Sequence, residues 1–65
     1  MPVNEFYYAL YDFNGSGPHT LPITSGQVVK VKSFQDLLGN QEWWLVEDRS
    51  GISGYVPGNY LKKYN

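Results

Sequence analysis

Glycine and proline divide this chain into segments that are too short for long helices or long strands. Seven glycines and four prolines are spread over 65 residues. No segment keeps the apolar spacing of an amphipathic helix over three turns. Several short segments instead alternate apolar and polar residues, as strands with one buried face do. The sequence therefore predicts an all-β domain of short strands joined by turns.

Five short strands are predicted from this alternation, at residues 6–10, 28–32, 43–47, 52–56 and 61–64. Leu21 and Ile23 also alternate, but Pro22 between them restricts that segment to a sheet edge or an irregular strand. The Pro-Gly-Asn-Tyr sequence at residues 57–60 has little strand propensity and predicts one short helical turn. Strands this short cannot form a long sandwich, so we expect a small barrel of two packed antiparallel sheets.

The length allows one small domain, and we expect residues 6–64 to form it, with residues 1–5 as a flexible tail. Six tyrosines, three phenylalanines and two tryptophans are too many rings for so small a core. Several rings must therefore lie at the surface, where a cluster of them marks a binding face. The inner faces of the predicted strands carry small or branched residues, and these form the predicted core: Ala9, Leu21, Ile23, Val29, Val31, Val46, Val56 and Leu61.

Charge and residue types exclude several classes of function. The formal net charge is −1, whereas binding to nucleic acid or directly to a membrane needs clustered Lys and Arg. The chain has no cysteine and one histidine, so we expect neither a metal nor a cofactor. No apolar run approaches the roughly 20 residues of a membrane span. We expect a monomer, and the lack of cysteine is compatible with the cytoplasm.

Catalysis is also not expected. Ser16 and His19 lie in a glycine-rich loop that offers no third group to orient them. Asp36 and Glu42 are the acidic residues of a long loop, and nothing in the sequence fixes the distance between them. The sequence therefore favours a binding domain over an enzyme.

Three motifs, in this order, resemble those of the Src homology 3 (SH3) domain family: ALYDF at residues 9–13, Trp43-Trp44, and GYVPGNY at residues 54–60. The sequence TSGQ at residues 24–27 lies where that family has its diverging turn. The match runs from about Tyr8 to Lys62, nearly the whole chain. The resemblance implies a five-stranded SH3-like barrel that binds proline-rich segments in the polyproline II conformation.

The resemblance also implies a peptide-binding site. Tyr11 and Tyr60 would flank the first groove. The second groove would be lined by Phe13, Trp43, Pro57 and Tyr60. The indole N–H, the Asn59 amide and the Tyr60 hydroxyl can donate hydrogen bonds to the ligand's carbonyl groups. Trp44 is expected to fill a strand face instead, and for Tyr55 that role stays open beside ligand contact. The full peptide-binding set is Tyr11, Phe13, Trp43, Pro57, Asn59 and Tyr60.

Two loops depart from the family pattern. The first loop (residues 14–20) contains no acidic residue, and Thr20 stands beside His19 where relatives often have a carboxylate. The long loop (residues 33–42) supplies Asp36 and Glu42 instead, so we assign these four residues to ligand specificity. Phe34, Leu37 and Leu38 either contact the ligand beyond its prolines or cover the barrel edge. Residues 34–44 resemble the last SH3 domain of Tuba-like, Dbl-type Rho exchange factors.

Two other classes of small barrel remain open at this point. A Tudor-type domain also exposes aromatic residues, arranged as a cage around methylated lysine. An oligonucleotide-binding fold uses exposed rings as well, but it needs a basic groove that this chain lacks. The spacing of the three motifs favours proline recognition over both.

Overall fold

Five strands follow one another along the chain: β1 (Glu5–Ala9), β2 (Val28–Ser33), β3 (Trp43–Glu47), β4 (Ser53–Pro57) and β5 (Leu61–Lys63). One 3-10 turn, Gly58–Tyr60, joins the last two strands. The computed structural model describes residues 5–15 and 17–64. The predicted strands and the predicted helical turn are confirmed, and each strand end lies within one residue of its predicted position. Residues 1–4 of the predicted tail lie outside the described residues.

The strands form one antiparallel sheet in the order β4-β3-β2-β1-β5. The prediction of two packed sheets is corrected in this respect, because every strand is hydrogen-bonded to its neighbour in a single sheet. The register shifts between Val31 and Ser33, where β2 pairs with β3. Such a bulge bends a strand and increases its twist. One continuous sheet can therefore curve around the core.

Side chains from all five strands meet in that core. Four valines lie at its centre, and full burial of each stabilises the fold by about 1.5–3 kcal/mol. Tyr7, Phe13, Phe34 and Trp44 pack around the centre and are partly buried. The predicted core is confirmed, because its members are the buried hydrophobic residues of the described chain, each at most 7% exposed: Ala9, Leu21, Ile23, Val29, Val31, Val46, Val56 and Leu61.

Leu21 and Ile23 reach the core from an irregular segment, as the proline between them predicted. Ile23 and Phe13 exchange two backbone hydrogen bonds of 2.8 Å each. The N–H of Tyr55 in β4 donates to the carbonyl of His19 at 2.7 Å, and the N–H of Leu21 donates to the carbonyl of Tyr55 at 3.1 Å. The first loop is thereby fastened to β4.

Two glycines permit close contacts that a larger residue would prevent. A Cβ atom on Gly54 would lie 2.9 Å from the backbone nitrogen of Leu21, so the first loop packs directly on β4. A Cβ atom on Gly58 would lie 2.5 Å from Cε2 and 2.6 Å from Nε1 of Trp44. The 3-10 turn therefore packs directly on the Trp44 ring.

Glu5 belongs to the sheet, one residue earlier than predicted. Its Oε1 lies 3.1 Å from Nζ of Lys63 across the β1–β5 pair. The hydrogen bond to Glu5, with the carboxylate charge, raises the pKa of Lys63 above its usual value. The pair is formed at neutral pH and is lost as the pH rises through that raised pKa. Both groups are exposed to solvent, so the stabilisation is small.

Within residues 5–15 and 17–64, no helix is long and apolar enough to cross a membrane. The same residues contain no group of three or more His, Asp or Glu side chains placed to hold a metal ion.

Replacing Gly58 with alanine tests the contact with Trp44. The added Cβ would overlap a ring held in place on several sides, so we expect Gly58→Ala to lower the free energy of unfolding by about 3 kcal/mol. Gly39→Ala is the control, because Gly39 has open space around it and a φ of +82°. Its cost should be limited to backbone strain of about 1 kcal/mol. Equal urea midpoints for the two variants would contradict the packing described.

Candidate functional site

Four aromatic rings form a continuous row on the surface, which we call the aromatic strip: Tyr11, Tyr60, Phe13 and Trp43. The Tyr11 and Tyr60 ring centroids are 5.4 Å apart, and Tyr60 and Phe13 are 5.9 Å apart. Phe13 and Trp43 follow at 6.1 Å. Adjacent rings meet at interplanar angles of 78°, 84° and 60°. Rings in this edge-to-face arrangement form ridges separated by shallow grooves.

Backbone hydrogen bonds hold the strip together from distant parts of the chain. The N–H of Leu10 donates to the carbonyl of Tyr60 at 2.7 Å. The backbone N–H of Ser25 donates to Oδ1 of Asp12 at 2.7 Å, and the Ser25 hydroxyl donates to the carbonyl of Leu10 at 3.3 Å. Asp12 therefore bonds to backbone. Its carboxylate fixes the segment that carries Tyr11 and Phe13.

The two adjacent tryptophans have different environments. The Trp44 ring meets Tyr7 at 5.3 Å and Phe34 at 4.7 Å. Its indole N–H donates to the carbonyl of Gln41 at 3.0 Å. Trp44 is thus the strand-face filler that the sequence predicted. Trp43 points to the other face of β3, because side chains alternate along a strand.

The remaining members of the predicted set border the strip. Pro57 is paired with Trp43 in the register of β3 and β4. Asn59 and Tyr60 belong to the 3-10 turn. Among the described residues, the Trp43 indole N–H, the Asn59 amide and the Tyr60 hydroxyl make no hydrogen bond within the protein. The structure thus brings the six predicted residues together and leaves three donors available beside the rings.

A side groove of about 360 Å³ lies between the first loop and the long loop. The side groove contains three of the four predicted specificity residues. Glu42 lies instead in a separate cleft on the other side of Trp43, beside Asn59. The side groove is lined by Pro18, His19, Thr20, Asp36, Leu37, Leu38, Trp43 and Tyr55.

Tyr55 and Pro18 are candidate site residues that the sequence reasoning missed. For Tyr55 the sequence left a strand-face role open, and for Pro18 it predicted only a place in the first loop. The signal for Tyr55 was the alternation of β4, in which Gly54 and Val56 are buried. The residue between them must face outward. For Pro18 no local signal existed, because its place depends on how the first loop folds back.

The apolar residues of the long loop lie in different environments. Phe34 packs against Tyr7 at 5.9 Å and against Trp44, so it covers the barrel edge. Leu37 and Leu38 are 91% and 93% exposed. These two leucines form an outer wall of the side groove.

Another concavity, of about 540 Å³, lies on the outer face of the sheet beside Phe6 and Tyr64. Its rim carries both signs of charge, from Lys30, Glu47 and Arg49. It contains none of the predicted site residues. The aromatic strip is the better candidate, because it combines rings with available donors.

Comparison with known proteins identifies the family of this fold. The model of the SH3 domain family matches residues 8–58. The chain is 43% identical over 60 residues to human dynamin-binding protein (Tuba), an alignment that covers 92% of this chain and 4% of that protein. It is 44% identical over 59 residues to mouse Rho guanine nucleotide exchange factor 38, covering 91% of this chain and 8% of the relative. The chain thus spans a small part of each.

Solved structures agree with the family model. The yeast Nbp2p SH3 domain, in complex with a peptide from Ste20p, superposes with a TM-score of 0.85 at 28% identity. That superposition covers 98% of this chain and 91% of the yeast chain. CED-2 gives a TM-score of 0.83 at 28% identity, over 97% of this chain and 35% of the CED-2 chain.

Matched phenylalanine substitutions test the different environments of the two tryptophans. Trp44→Phe removes the hydrogen bond to Gln41 and part of a packed ring, so we expect a loss of about 1–2 kcal/mol in the free energy of unfolding. Trp43→Phe removes a donor that has no partner in the protein, and its cost should stay within about 0.5 kcal/mol. Urea unfolding of both variants measures the difference. A Trp43→Phe variant that is the less stable of the two would refute this distinction.

Proposed function

The chain belongs to the SH3 domain family, and we propose that the aromatic strip, with Pro57 and Asn59, is its peptide-binding site. SH3 domains are non-catalytic modules, and this domain binds proline-rich peptides. The observation that carries the proposal is the row of four rings in edge-to-face contact, bordered by three available donors. A strip of ridges and grooves suits a ligand whose own side chains form ridges.

A polyproline II segment fits such a strip for two reasons. Its helix has three residues per turn and presents its prolines as regular ridges that enter grooves between rings. The segment is already extended before it binds, so little conformational entropy is lost. Its carbonyl groups have no partners of their own. The Trp43 indole N–H, the Asn59 amide and the Tyr60 hydroxyl are placed to donate to them.

Charge is expected to contribute less here than in relatives with an acidic first loop. The first loop has no carboxylate, and the side groove holds His19 and Thr20 where relatives often have one. Glu42 is exposed and directly precedes Trp43, so it is the acidic group best placed for a basic ligand residue. Exposed ion pairs are worth only about 0–1 kcal/mol and weaken with salt. Leu37 and Leu38 offer apolar contact instead.

The similarity to exchange factors supports a proposal about the larger protein. We propose that this domain acts as an adaptor within a multidomain cytoplasmic protein of signalling or actin regulation, such as a Tuba-like Rho exchange factor, and corresponds to its last SH3 domain. We expect the isolated domain to be a monomer that binds neither nucleic acid nor membrane directly. The Tudor-type alternative has no comparable support, because the rings form a row and not the cage that would surround a methylated lysine.

Replacing Trp43 with alanine tests the strip directly. Trp43 combines a large apolar face with a donor, as binding hot spots do, so we expect Trp43→Ala to cost about 2 kcal/mol or more in binding. A proline-rich 10-mer should bind the wild-type domain with a dissociation constant of about 1–100 μM. Calorimetric titration measures both values.

The control for this experiment is Ile52→Ala, because Ile52 is exposed in the β3–β4 turn and lines neither the side groove nor the cleft beside Asn59. It should leave the affinity unchanged. Wild-type affinity in folded Trp43→Ala would rule out the strip as the site. Subnanomolar binding of the linear peptide would contradict the shallow, transient interface.

A peptide series tests the balance between charge and apolar contact. One variant replaces the arginine beside the prolines with alanine, and another replaces the apolar residues that flank the proline core. We expect the apolar replacement to weaken binding more, and the arginine replacement to cost no more than about 1 kcal/mol. Each peptide is titrated at low and at high salt. A loss of binding free energy above about 2 kcal/mol on removing the arginine, with steep salt dependence, would contradict the expectation that charge contributes little here.

A further inference from the structure

The exposed leucines of the long loop are held by a closed turn. The N–H of Asp36 donates to the carbonyl of Asn40 at 3.1 Å, and the N–H of Gly39 donates to the carbonyl of Asp36 at 3.0 Å. Oδ1 of Asp36 accepts from the N–H groups of Leu38 and Asn40, each at 2.9 Å. One carboxylate oxygen is therefore occupied by the backbone of its own loop.

The same turn occurs a second time, between β3 and β4. The N–H of Asp48 donates to the carbonyl of Ile52 at 2.9 Å, and the N–H of Gly51 donates to the carbonyl of Asp48 at 3.1 Å. Oδ1 of Asp48 accepts from the N–H groups of Ser50 and Ile52 at 2.9 and 3.0 Å. Gly39 and Gly51 have φ angles of +82° and +85°. The two turns therefore share every one of these bonds.

The two turns differ in the side chains at their tips. The turn at Asp48 presents Arg49 and Ser50, which suits a solvated surface. The turn at Asp36 presents Leu37 and Leu38, which gain nothing from being held in water. Because the backbone is the same in both, the leucines are not required by the turn. Their presence points to an apolar contact outside the domain.

The turn at Asp36 is also linked to the aromatic strip. Oδ1 of Asn40 accepts from the N–H of Glu42 at 2.9 Å, and the carbonyl of Asn40 accepts from the N–H of Trp43 at 3.4 Å. The carbonyl of Glu42 in turn accepts from the N–H of Gly58 at 3.0 Å. These bonds run from Asp36 through Asn40 to β3 and the 3-10 turn. The position of the leucines is thereby set relative to Trp43.

We propose that Asp36 is a positioning residue of the peptide site, whose carboxylate fixes Leu37 and Leu38 as a preformed wall for an apolar ligand side chain beside the proline core. This inference rests on the proposed function, since it names what the side groove of that site recognises. Ordering the loop before binding removes an entropy cost that the ligand would otherwise have to offset. Asp36 acts as a hydrogen-bond acceptor, so its charge is not needed.

The test compares Asp36→Ala with Asp36→Asn, because asparagine keeps an acceptor oxygen and removes the charge. Two peptides are titrated, a proline core alone and the same core with an apolar flank. We expect Asp36→Ala to weaken binding of the flanked peptide about tenfold and to leave the core peptide within about twofold of wild type. Asp36→Asn should restore the flanked peptide to within about twofold. Equal losses of affinity for the flanked peptide in Asp36→Ala and Asp36→Asn would overturn the proposal and assign the effect to the charge of Asp36.

Asp48→Ala is the matched control, because it breaks the same turn away from the side groove. It should lower stability as Asp36→Ala does and leave both affinities unchanged. Should Asp36→Ala fail to fold, the double variant Leu37→Ser, Leu38→Ser keeps the turn and removes the wall. Unchanged preference of the double variant for the flanked peptide would refute the proposal. Loss of core-peptide binding by wild type would instead refute the proposed function itself.

Discussion

The position of Trp44 is the constraint on which the binding face depends. Tyr7, Phe34 and the backbone at Gly58 surround its ring, and its indole N–H is bonded to Gln41. Because strand side chains alternate, a fixed inward Trp44 directs Trp43 outward. The same ring seats the 3-10 turn that carries Asn59 and Tyr60. One buried contact thus orients both sides of the site.

The two loops set the charge and the apolar surface beside the strip. Acidic residues in this chain are used in part to fold it, since Asp12, Asp36 and Asp48 each accept backbone hydrogen bonds. The first loop has no carboxylate, and Glu42 is the acid of the long loop whose side chain makes no hydrogen bond within the described residues. A ligand therefore meets rings, donors and exposed leucines rather than a concentrated negative charge. This distribution supports the proposed selection by apolar shape.

Alternation of side chains made the core predictable, because small and branched residues occupy its fully buried positions. The six predicted peptide-binding residues came from motif resemblance, and the structure brings them together. The sequence did not predict that Phe34 packs inward while Leu37 and Leu38 stay exposed. The inward position of Phe34 depends on the rings of Tyr7 and Trp44. The single sheet was not predicted either. The sheet continues past the bulge after Val31 because β2 stays hydrogen-bonded to β3, and strand pairing cannot be read from the sequence of one strand.

The two indole N–H groups permit the most direct test of the central claim that the outward tryptophan belongs to the peptide site. Titration of the ¹⁵N-labelled domain with a proline-rich peptide follows both signals in one sample. We expect a large, saturable shift of the Trp43 indole signal and a small shift of the Trp44 signal, whose proton is already donated to Gln41. A static Trp43 signal at saturation, with the main shifts at Phe6 and Tyr64, would contradict it.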